Sequence, residues 1–544
     1  MKVKGNFLDF QENKFFNGEL TVQEGKIQSI KRNGNGADPA LPYVLPGLID
    51  AHVHIESTMV TPKYFASHVV KFGTVGVVTD PHEISNVCGV EGFDYMYNEA
   101  RNTPLGVYFA VPSCVPATPF ESSGATFDAD TINRIFQNYN TVALSEMMNF
   151  PGVINGVPDV MGKLQVARNH EKVIDGHAPA LHGKALKKYI DAGISTDHEA
   201  FTYDEAKEKI RSGMMIQIRE GSAARNFEAL HELISEYPEK IMFCTDDAHP
   251  DTLLNGHIDR IVKMALDKGH SIFDIIKAAS FNAIKHYELP VGSLRINDSA
   301  DFIMVNNLTD FNVQKTILKG EVVYDHEKNT QIPTTQNVVN RFEVDPINAE
   351  QLKLPDKNAP VKIIVALDGE LITKSFTAKL PAKDNFLQAD ISQDILKIAV
   401  VNRYDQIPKV QVGFVKGFGL KKGAFASSIA HDSHNIICVG VNDHDMLMAI
   451  NTLIAEKGGI GVCADQKTDL IPLPVGGLMA NESIENMAVK YNELDQKVKV
   501  LGSGFQAPFM TLAFMSLLVI PSLKIGDRGL FDVDKFDFVD LYEA

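Results

Sequence analysis

The chain is short of cysteine, of long apolar runs and of positive charge, and each shortage closes off a class of protein. Five cysteines, Cys88, Cys114, Cys244, Cys438 and Cys463, are scattered over 544 residues without a CxxC pair. An odd, dispersed set excludes a disulfide scaffold and fits a reduced, cytoplasmic protein. The opening residues, MKVKGNFLDFQENK, hold no apolar core of the secretory kind. The most apolar stretch, Pro508 to Pro521, is shorter than the roughly 20 residues needed to cross a bilayer. It is read as a buried strand or helix, and no membrane partner is expected. The formal net charge of -17 repels phosphate backbones and argues against a nucleic-acid partner. No internal repeat and no low-complexity tract is visible.

What is present is an ordinary globular composition, 44% hydrophobic and 22% charged, on a chain long enough for two or three domains. Residues 1–44 alternate apolar and polar side chains around Gly18 and Gly25, as short strands do. From residue 46 onward, apolar runs recur, each ending in polar residues and separated by helix-like stretches. The runs are VLPGLIDAHVH, TVGVVTDPH, GVYFAVPS, VALSEMMN, KVIDGHAP, GISTDHE, MMIQIREGS and IMFCTDDAHP. Eight alternating units over residues 45–290 predict a parallel sheet closed as a (β/α)8 TIM-type barrel, an α/β fold. Strands in 291–332 are expected to join residues 1–44 in a composite β-sandwich flanking the barrel. A polar, proline-bearing connection begins at 333, and a C-terminal α+β domain runs from there to 544.

Barrel enzymes carry their chemistry at the C-terminal ends of the strands. His52 and His54 form an HxH pair at the end of the first run, and residues i and i+2 of a strand face the same side. Glu146 ends the fourth run, His177 the fifth, His198 the sixth and Asp246 the eighth. Taken singly, each is a polar strand end. Together, six nitrogen and oxygen ligands at one barrel mouth exceed what one catalytic ion uses, and they suit two ions sharing a bridge. The fourth run has no lysine to carbamylate, so the two oxygens of Glu146 are the bridge it offers. Imidazole and carboxylate without thiolate select manganese, iron or zinc. Asp80, His82 and Glu83, in DPHEISN, end the second run and face the same mouth, either as substrate or metal groups or as a polar loop network.

These residues match the amidohydrolase superfamily, and the chain resembles the bacterial adenine deaminase family. The resemblance rests on PGLIDAHVHIESTMVTP (46–62), TDPHEISNVCG (79–89), VPSCVPAT (111–118) and LSEMMNFPGVINGVPDV (144–160). It continues through DGHAPAL (175–181), DHEAFT (197–202), CTDDAHP (244–250) and, beyond the barrel, KGFGLKKGAFASSIAHDSHNIICVG (416–440). HVHIES stands where HAHIES is commoner, which leaves both histidines in place.

The resemblance implies an adenine aminohydrolase of purine salvage, converting adenine and water to hypoxanthine and ammonia through a metal-activated hydroxide at a binuclear site. It implies two divalent ions, manganese or iron ahead of zinc, and a homodimer. His52 and His54 are expected at one ion, His177 and His198 at the other, with Glu146 between. Asp246 is expected to ligate the first ion and to accept and return a proton. Glu83 and Glu199 are the first candidates to protonate N1 of the ring, and Asp80, His82 and Asp247 to bind substrate.

The lysine-free fourth run argues against a cyclic-amide hydrolase that uses a carbamylated lysine. A non-catalytic barrel scaffold is disfavoured because none of the ligands is missing. The HxE at His54–Glu56 lacks the PCxxC partner of the zinc nucleobase deaminases. KGFGLKKGA lacks the GK[ST] of a phosphate loop. HDSH, His431 to His434, is either a second metal site or polar packing, and packing is preferred.

Overall fold

The structure, a computed structural model, describes residues 1–328 and 337–543. The domain boundary read at 332–333 therefore lies outside the described residues. Contacts divide the rest into two compact units.

The first unit comprises residues 1–81, 96–113 and 128–328. Its centre is a set of parallel strands: β1 (Leu48–Val53), β2 (Thr74–Thr79), β3 (Gly106–Val111), β4 (Thr141–Met147), β5 (Val173–Gly176), β6 (Thr196–Asp197), β7 (Met215–Arg219) and β8 (Ile241–Cys244). The eight apolar runs thus become eight strands. β1 to β5 form one parallel sheet and β6 to β8 another. The Ser195 amide donates to the Ile174 carbonyl at 3.0 Å and ties β6 to β5. On the other side the Asp246 amide donates to the His52 carbonyl (2.9 Å), and Val53 and Asp246 form a parallel bridge. The cylinder is closed there, and the closure is made by two expected site residues.

β1, β2 and β8 are buried along their whole length, which is why they read as continuous apolar runs rather than alternating ones. Gly176 is required by crowding: a Cβ there would stand 2.2 Å from the Thr196 carbonyl oxygen. That glycine lets β5 and β6 approach closely just before His177. The surrounding helices bury one face. Ile258–Asp267 turns Ile258, Ile261, Val262 and Ala265 inward, the i, i+3, i+4, i+7 stripe of an amphipathic helix. Ala129–Asn138 is capped by Asp128, whose carboxylate accepts from the Thr131 amide at 2.8 Å.

Strands from both flanks of the barrel pair in one seven-stranded sheet. Its order is 321–325, 313–318, 302–305, 43–46, 2–9, 14–23, 26–35. Val3, Phe7, Leu20, Val44, Phe302 and Ile317 form its core.

The second unit comprises residues 82–95, 114–127 and 337–543. An eight-stranded mixed sheet runs 373–378, 361–366, 410–416, 395–401, 436–440, 424–427, 459–464, 467–472. Helix Asp443–Ala455, capped by Asn442, buries Met446, Ala449, Ile450 and Leu453 against Ala399, Ala426 and Cys438 of that sheet. The apolar run is buried from 508 to 520, as the short helix Pro508–Ala513 and the turn that follows it. All five cysteines are free thiols. Among the described residues no helix is long and apolar enough to cross a membrane.

Candidate metal centre

The strand ends of the barrel bring together side chains that lie far apart in the chain. His52 and His54 leave β1 with their Nε2 atoms 3.1 Å apart. Glu146, the second-last residue of β4, lies between two histidine pairs: Oε1 is 3.3 Å from His54 Nε2, and Oε2 is 2.7 Å from His177 Nδ1 and 3.3 Å from His198 Nε2. Asp246 Oδ1 is 3.0 Å from His54 Nε2 and 3.6 Å from His52 Nε2. All six candidate ligands read from the sequence therefore converge, and all are buried. Asp246 holds a left-handed backbone, φ 53°, at the point where β8 turns back onto β1.

The other expected residues divide. Glu199 follows His198 and places Oε1 3.6 Å from His198 Nε2 and 3.7 Å from His177 Nδ1. Asp80 offers an oxygen within 4.8 Å of His54 and Glu146 ligand atoms. Asp247 accepts from the Ser57 hydroxyl at 2.6 Å. His82 and Glu83 belong to the second unit, where they meet Asp432 and His434.

The structure adds residues that the sequence reading missed. Arg219, at the end of β7, donates through Nη1 to Glu199 at 2.5 Å and to Asp246, so one guanidinium joins two carboxylates. Its signal in the sequence was position, a charged residue closing the seventh apolar run. Asp50 accepts from the Thr245 amide (3.1 Å) and lies 3.0 Å from His257 Nε2, stitching β1 to β8 beneath the cluster. The Ser113 hydroxyl donates to the Glu146 carbonyl (2.6 Å), and the Tyr189 hydroxyl accepts from the His177 amide (3.0 Å). Nothing local in the sequence marks these partners, which act by long-range packing.

Burial alone favours neutral side chains, and for His54, Glu146, His198 and Asp246 neighbouring charge overrules it. His198 is pushed up to about 9: burial opposes this, but its hydrogen bond to Glu146 and the charges of Asp246, Glu146 and Glu199 outweigh it. His54 stands well above the ordinary histidine range for the same reason, through Asp246 and Glu146. Glu146 stays ionised far below the usual carboxylate range, because His177, His198 and His54 more than offset its burial. Asp246 does likewise, through Arg219 and the first two histidines.

The cluster is thus a buried site that gathers positive charge, and divalent cations replace protons on such donors. The donors fit. A carbonyl can only accept, so His54 Nδ1 donates to the Asp80 carbonyl (3.0 Å), which orients the ring with Nε2 toward the cluster. His177 Nε2 and Glu199 Oε2 are buried without hydrogen-bond partners among the described residues. Four imidazoles, a two-oxygen carboxylate between them and a further aspartate form an oxygen–nitrogen set of the manganese, iron and zinc kind.

Residues 43–323 match the Amidohydrolase family, and residues 370–537 match the Adenine deaminase C-terminal domain. The chain is 50% identical to the adenine deaminase of Methanosarcina mazei, over 99% of each chain. It is 51% identical to that of Methanosarcina barkeri, again over 99% of each. It is 48% identical to that of Parabacteroides distasonis, over 99% of this chain and 98% of the other. With a barrel of this construction, this buried donor set and matches on both sides of residue 333, the chain belongs to the adenine deaminase family of amidohydrolases.

Proposed function

We propose that this chain hydrolyses adenine to hypoxanthine and ammonia at the mouth of the barrel. The observation that carries the reading is the convergence of His52, His54, Glu146, His177, His198 and Asp246 in a chain about half identical, end to end, to adenine deaminases. His52, His54 and Asp246 would hold one divalent ion and His177 and His198 another, with Glu146 shared. Manganese or iron is the first choice and zinc the alternative. When bound, such ions make water acidic enough to supply a nucleophile near neutral pH, where free water has a pKa of about 15.7.

The rest is the work of this chain's own groups. Attack of water on C6 needs a base, and Asp246 presents a carboxylate at the junction of β8 and β1 to take that proton. Returned to the 6-amino nitrogen, the proton lets it depart as ammonia rather than as an amide anion. The ring gains a proton at N1 as C6 becomes tetrahedral. We assign that transfer to Glu199 rather than to Glu83: held at Oε1 by Arg219 and close to His177 and His198, its carboxylate would take the second proton of the attacking water and pass it to N1. Asp80 and Asp247 are the proposed substrate-binding groups of the barrel unit.

The proposed division of labour places catalysis in 45–290, a flanking β domain in 1–44 and 291–332, and the family's C-terminal domain in 333–544. A cytoplasmic homodimer serving purine salvage completes the reading. The charge of -17 suits a neutral free base as substrate and leaves nucleic acid out. The test is purified protein loaded with manganese or iron and given adenine while ammonia is followed. Turnover is expected, and its absence in the metal-replete protein contradicts the assignment.

A further inference from the structure

The second unit holds another buried set of metal-ligand side chains. Glu83 lies in the first turn of helix His82–Cys88, and His431 and His434 lie in the loop between strands 424–427 and 436–440. One ligand atom from each of the three lies within 4.8 Å of the others, and Glu83 Oε2 is 3.6 Å from His434 Nε2. His434 is completely buried, and neither ring nitrogen makes a hydrogen bond among the described residues. An imidazole hidden from water with both nitrogens unused is costly unless something else engages them.

The scaffold around the three is fixed. The Arg403 guanidinium donates to the His434 carbonyl (3.3 Å) and the Gly476 carbonyl (2.8 Å), and the Tyr404 hydroxyl donates to the Ser433 carbonyl. The His431 ring stacks on Phe514, with centroids 4.6 Å apart and planes 9° from parallel. On the helix side, Asn86 donates to the carbonyls of His82 and Cys114, both at 3.0 Å. Asp432 sits 3.6 Å from His82 Nε2 and 3.5 Å from His431 Nδ1, so a second carboxylate borders the set. Rigid, buried ligands whose supporting groups are already placed are what a metal site needs.

We infer that Glu83, His431 and His434 form a mononuclear site for a divalent transition-metal ion, of which zinc is the best match. Two imidazoles and one carboxylate are an established zinc donor set. The ion would pin helix His82–Cys88 to the 431–434 loop and so cross-link two distant stretches of the second unit. This assignment does not depend on the deaminase reading, because it concerns ion content and not turnover.

The test counts zinc. Full-length protein is stripped by chelation, reloaded with zinc, freed of excess and measured by mass spectrometry for zinc per chain. His434→Gln and His431→Gln are each expected to hold one ion fewer than the unmutated protein, with unchanged circular dichroism. Equal zinc content in all three proteins overturns the site. Diffraction at the zinc absorption edge from the unmutated protein needs no variant. A peak about 2.0–2.2 Å from Glu83, His431 and His434 is expected, and a zinc-loaded crystal with no peak there refutes the inference.

Discussion

At the barrel mouth burial loses its contest with neighbouring charge. His198 rises to about 9 and Glu146 falls far below its ordinary range. In the second unit burial wins: Lys524 is pulled down to about 7 and Glu121 is pushed up to about 8, each toward its neutral form. His434 is held neutral as well. Asp432, kept ionised against its burial by His431 and His82, is the exception. The difference is one of composition within a few ångströms. The barrel sets Glu146, Glu199 and Asp246 against four imidazoles and Arg219, so every charge has an opposite. Around Lys524, among the described residues, the carbonyls of Leu371 (2.6 Å) and Phe514 (3.0 Å) answer the ammonium. Low dielectric strengthens paired charge and penalises unpaired charge. The same chain uses the first outcome to build a centre for cations and the second to keep buried groups uncharged.

That contrast can be broken from the barrel side first. Glu199→Gln keeps the shape and removes the carboxylate that would relay a proton to N1, so ammonia release from adenine should fall about 10²–10⁴-fold, with metal content unchanged. An unchanged rate would move the N1 donor elsewhere. Arg219→Gln removes the cation that joins Glu199 to Asp246. A loss of about 10–100-fold is expected, the usual cost of losing an outer partner. Steady-state rates at saturating adenine measure it, and an equal rate would make Arg219 a bystander.

The second unit should answer to pH instead. The unfolded chain keeps the Lys524 proton up to about 10.5, while the folded chain keeps it only up to about 7. Stability from this group is therefore withheld at neutral pH and regained as pH rises through that window, by roughly 1.4 kcal/mol per unit at most. Lys524→Met cannot titrate. The melting temperature of the unmutated protein minus that of the variant should climb between pH 7 and 10, and a flat difference would mean that the lysine stays charged.

The barrel was legible because a parallel strand, buried on both faces, writes itself as an apolar run, and its functional end as the first polar residue after it. β6 shows how far this goes: only Thr196 and Asp197 are strand, yet GISTDHE marked the place and His198 with it. Arg219 was passed over because a charged residue after a strand reads as solvent-facing, and only the fold reveals that it is buried between two acids. DPHEISN and HDSH were visible as separate motifs. Their meeting depends on packing across most of the chain, which no local pattern encodes. Asp50 and His257 are hidden for the same reason.

Glu146 is the side chain on which the barrel centre turns, since it faces both histidine pairs at once. The decisive measurement compares ammonia release from adenine by manganese-loaded Glu146→Gln and by the unmutated protein, with bound manganese counted in each. A variant that folds, holds less manganese and releases ammonia no faster than the uncatalysed reaction is the predicted result. A variant that deaminates adenine at the unmutated rate would contradict it.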